Sequence, residues 1–133
     1  MEAAKQFLEC KERMPVGSKY WADATVAAFD MLNILGQQEC DEVAKPEWWN
    51  DEGLKALSAR VVTVAPNDQP ANQMRAHVLS GFSVAWEAGP RSAAELNEAA
   101  ALFEREAALT INPVGKAGLA GNAGWCRDLA EAM

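Results

Sequence analysis

The sequence has few of the residues that catalytic and metal sites require. Histidine occurs once, at His77, and the three cysteines, Cys10, Cys40 and Cys126, are odd in number and far apart. A zinc site needs clustered ligands and a disulfide scaffold needs paired cysteines, so we expect neither. We expect the cysteines to be small buried apolar residues in a reducing compartment.

Basic residues and long apolar runs are also scarce. Twelve Lys and Arg stand against 19 Asp and Glu, which gives a net charge of −7. Such a surface repels phosphate groups, so we predict no nucleic-acid partner. No segment reaches the ~18 consecutive apolar residues of a membrane helix, and the charged N-terminus is unlike a secretory signal. We therefore predict no direct membrane insertion and an intracellular protein, in the cytoplasm or in an organellar lumen or matrix.

Known catalytic motifs are missing as well. The acids are scattered, without a pair whose surroundings would raise one pKa for acid–base work. The segment GKAGLAGNAG follows no strand and lacks the Gly-Lys-Ser/Thr ending of a phosphate-binding loop. We predict that the chain is not an enzyme and has no catalytic residues, no metal site and no cofactor. The alternative is a small helical enzyme or ligand-binding domain with no recognisable motif.

Helical periodicity of apolar residues is what the sequence does contain. The 133 residues suit one domain, and apolar positions recur at helical spacing in six segments separated by prolines and turn residues. VVTV alone favours a strand, but the residues before it keep the helical period, so we predict a helix there. The fold class is therefore all-α, with about six antiparallel helices in stacked hairpins. The six segments are about 2–14, 19–38, 48–64, 70–86, 93–112 and 114–132.

The five tryptophans fall into two groups. Trp21, Trp86 and Trp125 sit in apolar stripes, so we predict that they belong to the core. Trp48 and Trp49 are adjacent, and adjacent side chains on a helix point about 100° apart. One of this pair packs inward and the other covers the start of a helix, or the pair is an exposed anchor for a partner.

The last two helices carry a capping signal and a small-residue stretch. Ser92 and Glu95 form a predicted capping box. In LTINPVGKAGLAGNAGWC, we predict that the alanines at 117, 120 and 123 pack on the fifth helix, with Leu129 also facing inward. The glycine side, represented by Gly121, is then open to solvent or buried under a partner.

Two segments resemble tetratricopeptide repeats. AALFEREAALTINP is similar to the second helix of a repeat, and ARVVTVAPNDQPANQMRAHVLSG is similar to the junction between two repeats. The resemblance covers about 53–133. The Trp, Leu-Gly and Tyr signature of the first repeat helix is absent, and Arg105 replaces a usual large residue. Blocks such as AKPEWWNDEGLKALSARVV also resemble uncharacterised algal proteins, which implies a lineage and no activity.

The tetratricopeptide resemblance implies an organisation and a use. One domain, 1–133, would comprise an N-terminal helical hairpin at 1–45 and tetratricopeptide-like helices at 46–133. Stacked hairpins of this family present a curved face to peptides or partner subunits. The matching positions are Asn72, Arg75, Lys116 and Asn122. The resemblance therefore implies a protein-interaction or scaffold module that binds a protein or peptide, as a small accessory subunit of a larger assembly.

Overall fold

All described elements are α-helices. The computed structural model describes residues 2–13, 15–37, 46–82, 84 and 86–133, and the described part contains no strand. The predicted all-α class is confirmed, as is the helical state of VVTV. The predicted linker before residue 46 and the side chains of Cys10 and Cys40 lie outside the described part. The helices are α1 (Glu2–Arg13), α2 (Lys19–Gln37), α3 (Asp51–Val64), α4 (Gln69–Ser80), α5 (Ala93–Leu109) and α6 (Pro113–Glu131).

Side-chain caps start the helices after α1. The Asp68 carboxylate accepts from the amide of Ala71 at 3.1 Å at the start of α4. The capping box of α5 is confirmed: Ser92 Oγ accepts from the Glu95 amide at 3.1 Å, and Glu95 Oε1 accepts from the Ser92 amide at 2.9 Å. Ser18 Oγ likewise accepts from the amide of Trp21, three residues later in the chain, at 3.1 Å. Each cap satisfies a helix amide that has no partner within the helix.

Three predicted helix boundaries are wrong. The fifth helix ends at Leu109, with Thr110 as its cap, and not just before Pro113. The third helix starts at Asp51 and not at Trp48, because Asn50 adopts an extended backbone and caps it, with Oδ1 2.8 Å from the Gly53 amide. The fourth helix ends at Ser80 and not at Trp86. Gly81 has a φ of 73°, a left-handed conformation that ends helices and that glycine adopts without steric cost.

The core consists of two clusters of buried side chains that share α4. Met74 and Val78 of α4 face the first cluster, whereas Ala76 and Leu79 face the second. The first cluster also contains large residues of α2 and α3, namely Trp21, Phe29, Leu32, Leu54, Leu57 and Val61. The second contains residues of α5 and α6, namely Leu96, Ala99, Ala100, Phe103, Ala123, Cys126 and Ala130.

Neighbouring helices in the chain make most of the contacts. α1 packs on α2, α3 on α4, α4 on α5 and α5 on α6, and α2 also contacts α3 and α4. The antiparallel stacking of these helices as repeat hairpins stays a prediction. None of the described helices combines the length and apolar character needed to cross a membrane.

Candidate interaction surface on the last helix

The last helix, α6, is buried along one narrow side. Asn112 starts it by accepting from the amides of Val114 and Gly115 at 2.9 and 3.3 Å, and Pro113 occupies the first turn. The buried side chains are Ala123, Cys126 and Ala130, which pack in the cluster that contains Phe103 of α5. Because these side chains are small, α6 lies close to α5 and leaves its other sides uncovered by the described residues.

The opposite side of α6 is apolar and exposed. Val114 is 81% exposed, Trp125 is 56% exposed and Leu129 is 37% exposed. A Cβ atom placed on Gly118, Gly121 or Gly124 would meet no described atom within 4 Å. At 100° per residue these positions fall on one face. We call this face the α6 outer face, and it comprises Val114, Ala117, Gly118, Gly121, Gly124, Trp125 and Leu129.

Trp125 is held in place on this face by an aromatic stack. Its ring lies 4.6 Å from that of Phe82 with an interplanar angle of 17°, and Phe82 in turn stacks on Phe103 at 6.2 Å. Phe103 is fully buried. One side of the indole is therefore fixed to the core while more than half of its surface faces outward, which gives an exposed aromatic group with little freedom to lose on binding.

This arrangement corrects two sequence predictions. Trp125 and Leu129 were expected in the core, yet both are exposed. The predicted packing of the alanine side holds for Ala123 alone, because Ala117 and Ala120 are exposed. The glycine side, with Gly121, is open to solvent in this chain. The side of α6 that faces the core is therefore the one that carries Ala123, Cys126 and Ala130.

A shallow cleft of about 460 Å³ lies between α5 and α6 beside the outer face. Its floor is formed by small side chains, and its charged residues are Lys116, Glu104 and Arg127. Glu104 and Arg127 pair with each other across the cleft. The remaining lining residues are Ala107, Ala108, Ala120, Ala123 and Gly124. Such a floor offers packing area and few hydrogen-bonding groups.

Other predicted partner-binding residues are used for internal contacts. Arg75 Nη1 donates to Lys55 O at 2.7 Å and to Ser58 Oγ at 3.0 Å, and Arg75 Nε pairs with Glu98 at 2.9 Å. The Asn72 amide donates to backbone oxygens of the α3–α4 turn at 3.0 and 3.1 Å. These bonds join α3, α4 and α5. Neither side chain lies with Lys116 in the α5–α6 cleft.

The tryptophan pair sits in the turn before α3. Trp49 is only 8% exposed, and its ring contacts those of Phe29 at 5.8 Å and Trp86 at 5.4 Å. Trp48 is half-buried and meets Trp49 edge to face, with Lys11 Nζ 5.3 Å from its ring centroid. Asn122 is half-buried on α6. A partner-binding role for Trp48, Trp49, Asn72, Arg75, Lys116 and Asn122 stays a prediction.

The Cys126 thiol is buried, and the His77 ring packs against an aromatic side chain. Burial raises the pKa of the Cys126 thiol, which disfavours the nucleophilic thiolate. The His77 ring meets Phe103 edge to face at 6.3 Å, with Nδ1 3.4 Å from Phe82 O. Within the described part, no three His, Cys, Asp or Glu side chains are grouped so that they could hold a metal ion.

Comparison with protein-family models, with curated protein sequences and with solved structures gives no match for this chain.

Proposed function

We propose that this chain is a non-enzymatic protein–protein interaction module that serves as a small structural or accessory subunit of a larger assembly, with the α6 outer face as its docking surface. The resemblance to tetratricopeptide repeats, taken as stacked antiparallel hairpins in 46–133, supports this use. Hairpin stacks bury each apolar face against the next element, and no described residue covers the glycines on the outer side of α6.

The observation that carries the proposal is the position of Trp125. Tryptophan is enriched among the residues that dominate interface energies, particularly where it is rigid and surrounded by apolar contacts. Here the ring is stacked on Phe82, more than half exposed, and lies on the same face as Val114, Leu129 and the glycines. A largely apolar exposed face on a chain with a net charge of −7 is typical of a binding site.

Site-specific photocrosslinking tests the proposal. A photoreactive amino acid at Gly121 has room on the outer face, because nothing described lies within 4 Å of its Cβ. The matched control is the same amino acid at Asn97, an exposed position on α5. In extract of the source cells, we expect a discrete crosslinked protein from position 121 and not from position 97. Identical crosslinking patterns at the two positions would contradict the proposal.

A further inference from the structure

The shape of the α6 outer face suits a partner helix. Gly118 and Gly121 lack side chains on an exposed helix surface, and we call the uncovered backbone at these two positions the glycine trough. Val114, Trp125 and Leu129 are exposed on the same face. Helix axes approach to 8–10 Å depending on the side chains between them. Glycines permit the close end of that range, or they leave room for a large apolar side chain of the partner.

The charge on and beside the outer face is negative. The two basic residues of α6, Lys116 and Arg127, both line the α5–α6 cleft, where Arg127 pairs with Glu104. Asp128 interrupts the outer face two turns after Gly121, and Glu131 follows near the helix end. The last turn of α6 has no basic residue, so the negative end of its dipole is uncompensated. A partner with basic side chains complements this charge.

The charge of the chain, and not the size of the face, distinguishes a basic partner helix from a second copy of the chain. A helix of 19 residues is ~28 Å long, and one face ~10 Å wide presents roughly 300 Å². A stable specific interface buries about 800 Å² on each partner. Two copies would also bring together two chains that each carry a charge of −7. Either occupant needs contacts beyond this face, and the charge favours a basic partner over a second copy.

We infer that the occupant of the α6 outer face is a basic amphipathic helix of a partner protein, whose large apolar side chains enter the glycine trough while its Lys or Arg side chains face Asp128 and Glu131. This inference rests on the proposed function. It adds the secondary structure and the charge of the partner. A partner helix that binds in this way makes its contacts through apolar residues at i, i+3, i+4 and i+7.

Two synthetic peptides test the inference. Each has about 20 residues, long enough to form a helix on binding, with leucines at i, i+3, i+4 and i+7. One carries lysines at its flanking positions and its twin carries glutamates at the same positions. With a fluorescent label on the peptide, anisotropy titration of the whole chain gives both affinities. We expect the lysine peptide to bind at least about ten-fold more tightly than the glutamate twin, and to weaken as salt is raised.

Variants of the chain locate the binding. Gly121→Leu fills the trough without a clash in the folded chain, so we expect at least about ten-fold weaker binding of the lysine peptide. Its matched control, Ala101→Leu, adds a leucine to an exposed site on α5 and should bind as the parent does. Asp128→Lys should weaken binding and flatten the salt dependence. Glu87→Lys, which makes the same charge change at an exposed loop position, should not.

Each alternative result has a defined meaning. Tighter binding of the glutamate twin that is lost in Gly121→Leu would overturn the basic partner and keep the proposed docking face. A Gly121→Leu variant that binds the lysine peptide like the parent would overturn the location as well. If neither peptide binds and sedimentation shows a dimer that Gly121→Leu dissociates, the occupant is a second copy and the inference is wrong. Absence of both peptide binding and self-association also overturns it.

Discussion

Asp51 and Arg91 form a bidentate ion pair. It joins the first turn of α3 to the segment just before Ser92, the N-cap of α5. Arg91 Nη1 lies 2.8 Å from Asp51 Oδ2, and Arg91 Nη2 lies 2.7 Å from Asp51 Oδ1. The same guanidinium donates to the carbonyls of Val78 and Gly89 at 2.9 Å, and Trp86 Nε1 donates to Asp51 at 3.2 Å. One arginine therefore ties together α3, the end of α4 and the segment that leads to α5.

Removal of this arginine is expected to destabilise the fold strongly. The Arg91 side chain is only 7% exposed, so Arg91→Met leaves the partly buried Asp51 carboxylate, which is 16% exposed, with fewer compensating partners. Loss of one partner of a buried ion pair typically costs about 3–5 kcal/mol. Because Lys55 still lies 3.4 Å from Asp51, we expect the lower end of that range in urea melts.

The double variant Asp51→Asn, Arg91→Met serves as the control for that prediction. It removes the orphaned charge, so it should be more stable than Arg91→Met alone. A double variant that is less stable than the parent by the sum of the losses of the two single variants would show that the pair is not coupled.

Acid should weaken the same contact. Burial alone would raise the pKa of Asp51, but hydrogen bonds from Arg91 and Trp86, together with the charges of Arg91 and Lys55, lower it to about 2. Since the folded pKa is below the unfolded value near 4, the stabilisation is complete above pH 4 and is lost as the pH falls toward 2. The shift corresponds to at most roughly 2–3 kcal/mol, and solvent around this partly exposed carboxylate screens part of it.

Urea melts between pH 5 and pH 2 measure this loss. The Asp51→Asn variant should show a shallower decline over that range, because the group responsible is absent. Equal slopes for parent and variant would contradict the lowered pKa of Asp51. The lowered pKa of Glu95 has the same sign and is present in both proteins. There, burial opposes the shift, while bonds from Lys55 and Ser92 produce it.

The capping box at α5 gives a local test. Ser92→Ala removes the oxygen that accepts from the Glu95 amide at 3.1 Å, and we expect a loss of about 1 kcal/mol. Ser92→Gly is the comparison, since glycine at this position costs only a few tenths. Denaturant melts in which both variants match the parent would show that α5 does not depend on this cap.

The helices were predictable from sequence because apolar spacing within one segment determines them. The helix boundaries were less predictable. Asn50 begins α3 and Gly81 ends α4 through backbone conformations that the neighbouring apolar residues do not reveal. The outer face was mispredicted because α6 has two apolar stripes. Positions 114, 118, 121, 125 and 129 repeat as regularly as the buried ones, and only the contact with α5 decides which is covered.

Long-range polar contacts were not predictable from this one chain. Asp51 and Arg91 are 40 positions apart, and nothing in the residues around either one identifies the other. The internal bonds of Arg75 to Lys55, Ser58 and Glu98 are of the same kind. An arginine assigned to a binding groove by its position in a repeat can therefore be a structural residue instead. The contacts that such an arginine makes in the folded chain, and not its local sequence pattern, decide whether it binds a partner or stabilises the fold.

Two glycines that occupy helices should respond in opposite ways to the same substitution. At Gly121 an added Cβ meets nothing within 4 Å, so Gly121→Ala should stabilise α6 by up to ~1 kcal/mol through the better helix propensity of alanine. At Gly53 in the first turn of α3, the added Cβ would lie 2.6 Å from the carbonyl oxygen of Trp48, which is backbone and has little room to move. Gly53→Ala should therefore destabilise the chain, by about 1–3 kcal/mol as other overpacked sites do.

Thermal and urea melts of the two variants beside the parent check both signs at once. Each change adds one methyl group to a helix, so the pair is matched in chemistry and differs in surroundings. Stabilisation by Gly53→Ala would mean that the Trp48–Trp49 turn does not lie against α3 as described. Destabilisation by Gly121→Ala would mean that the outer face of α6 is already covered, and a lower stability on dilution would then identify a second copy as the cover.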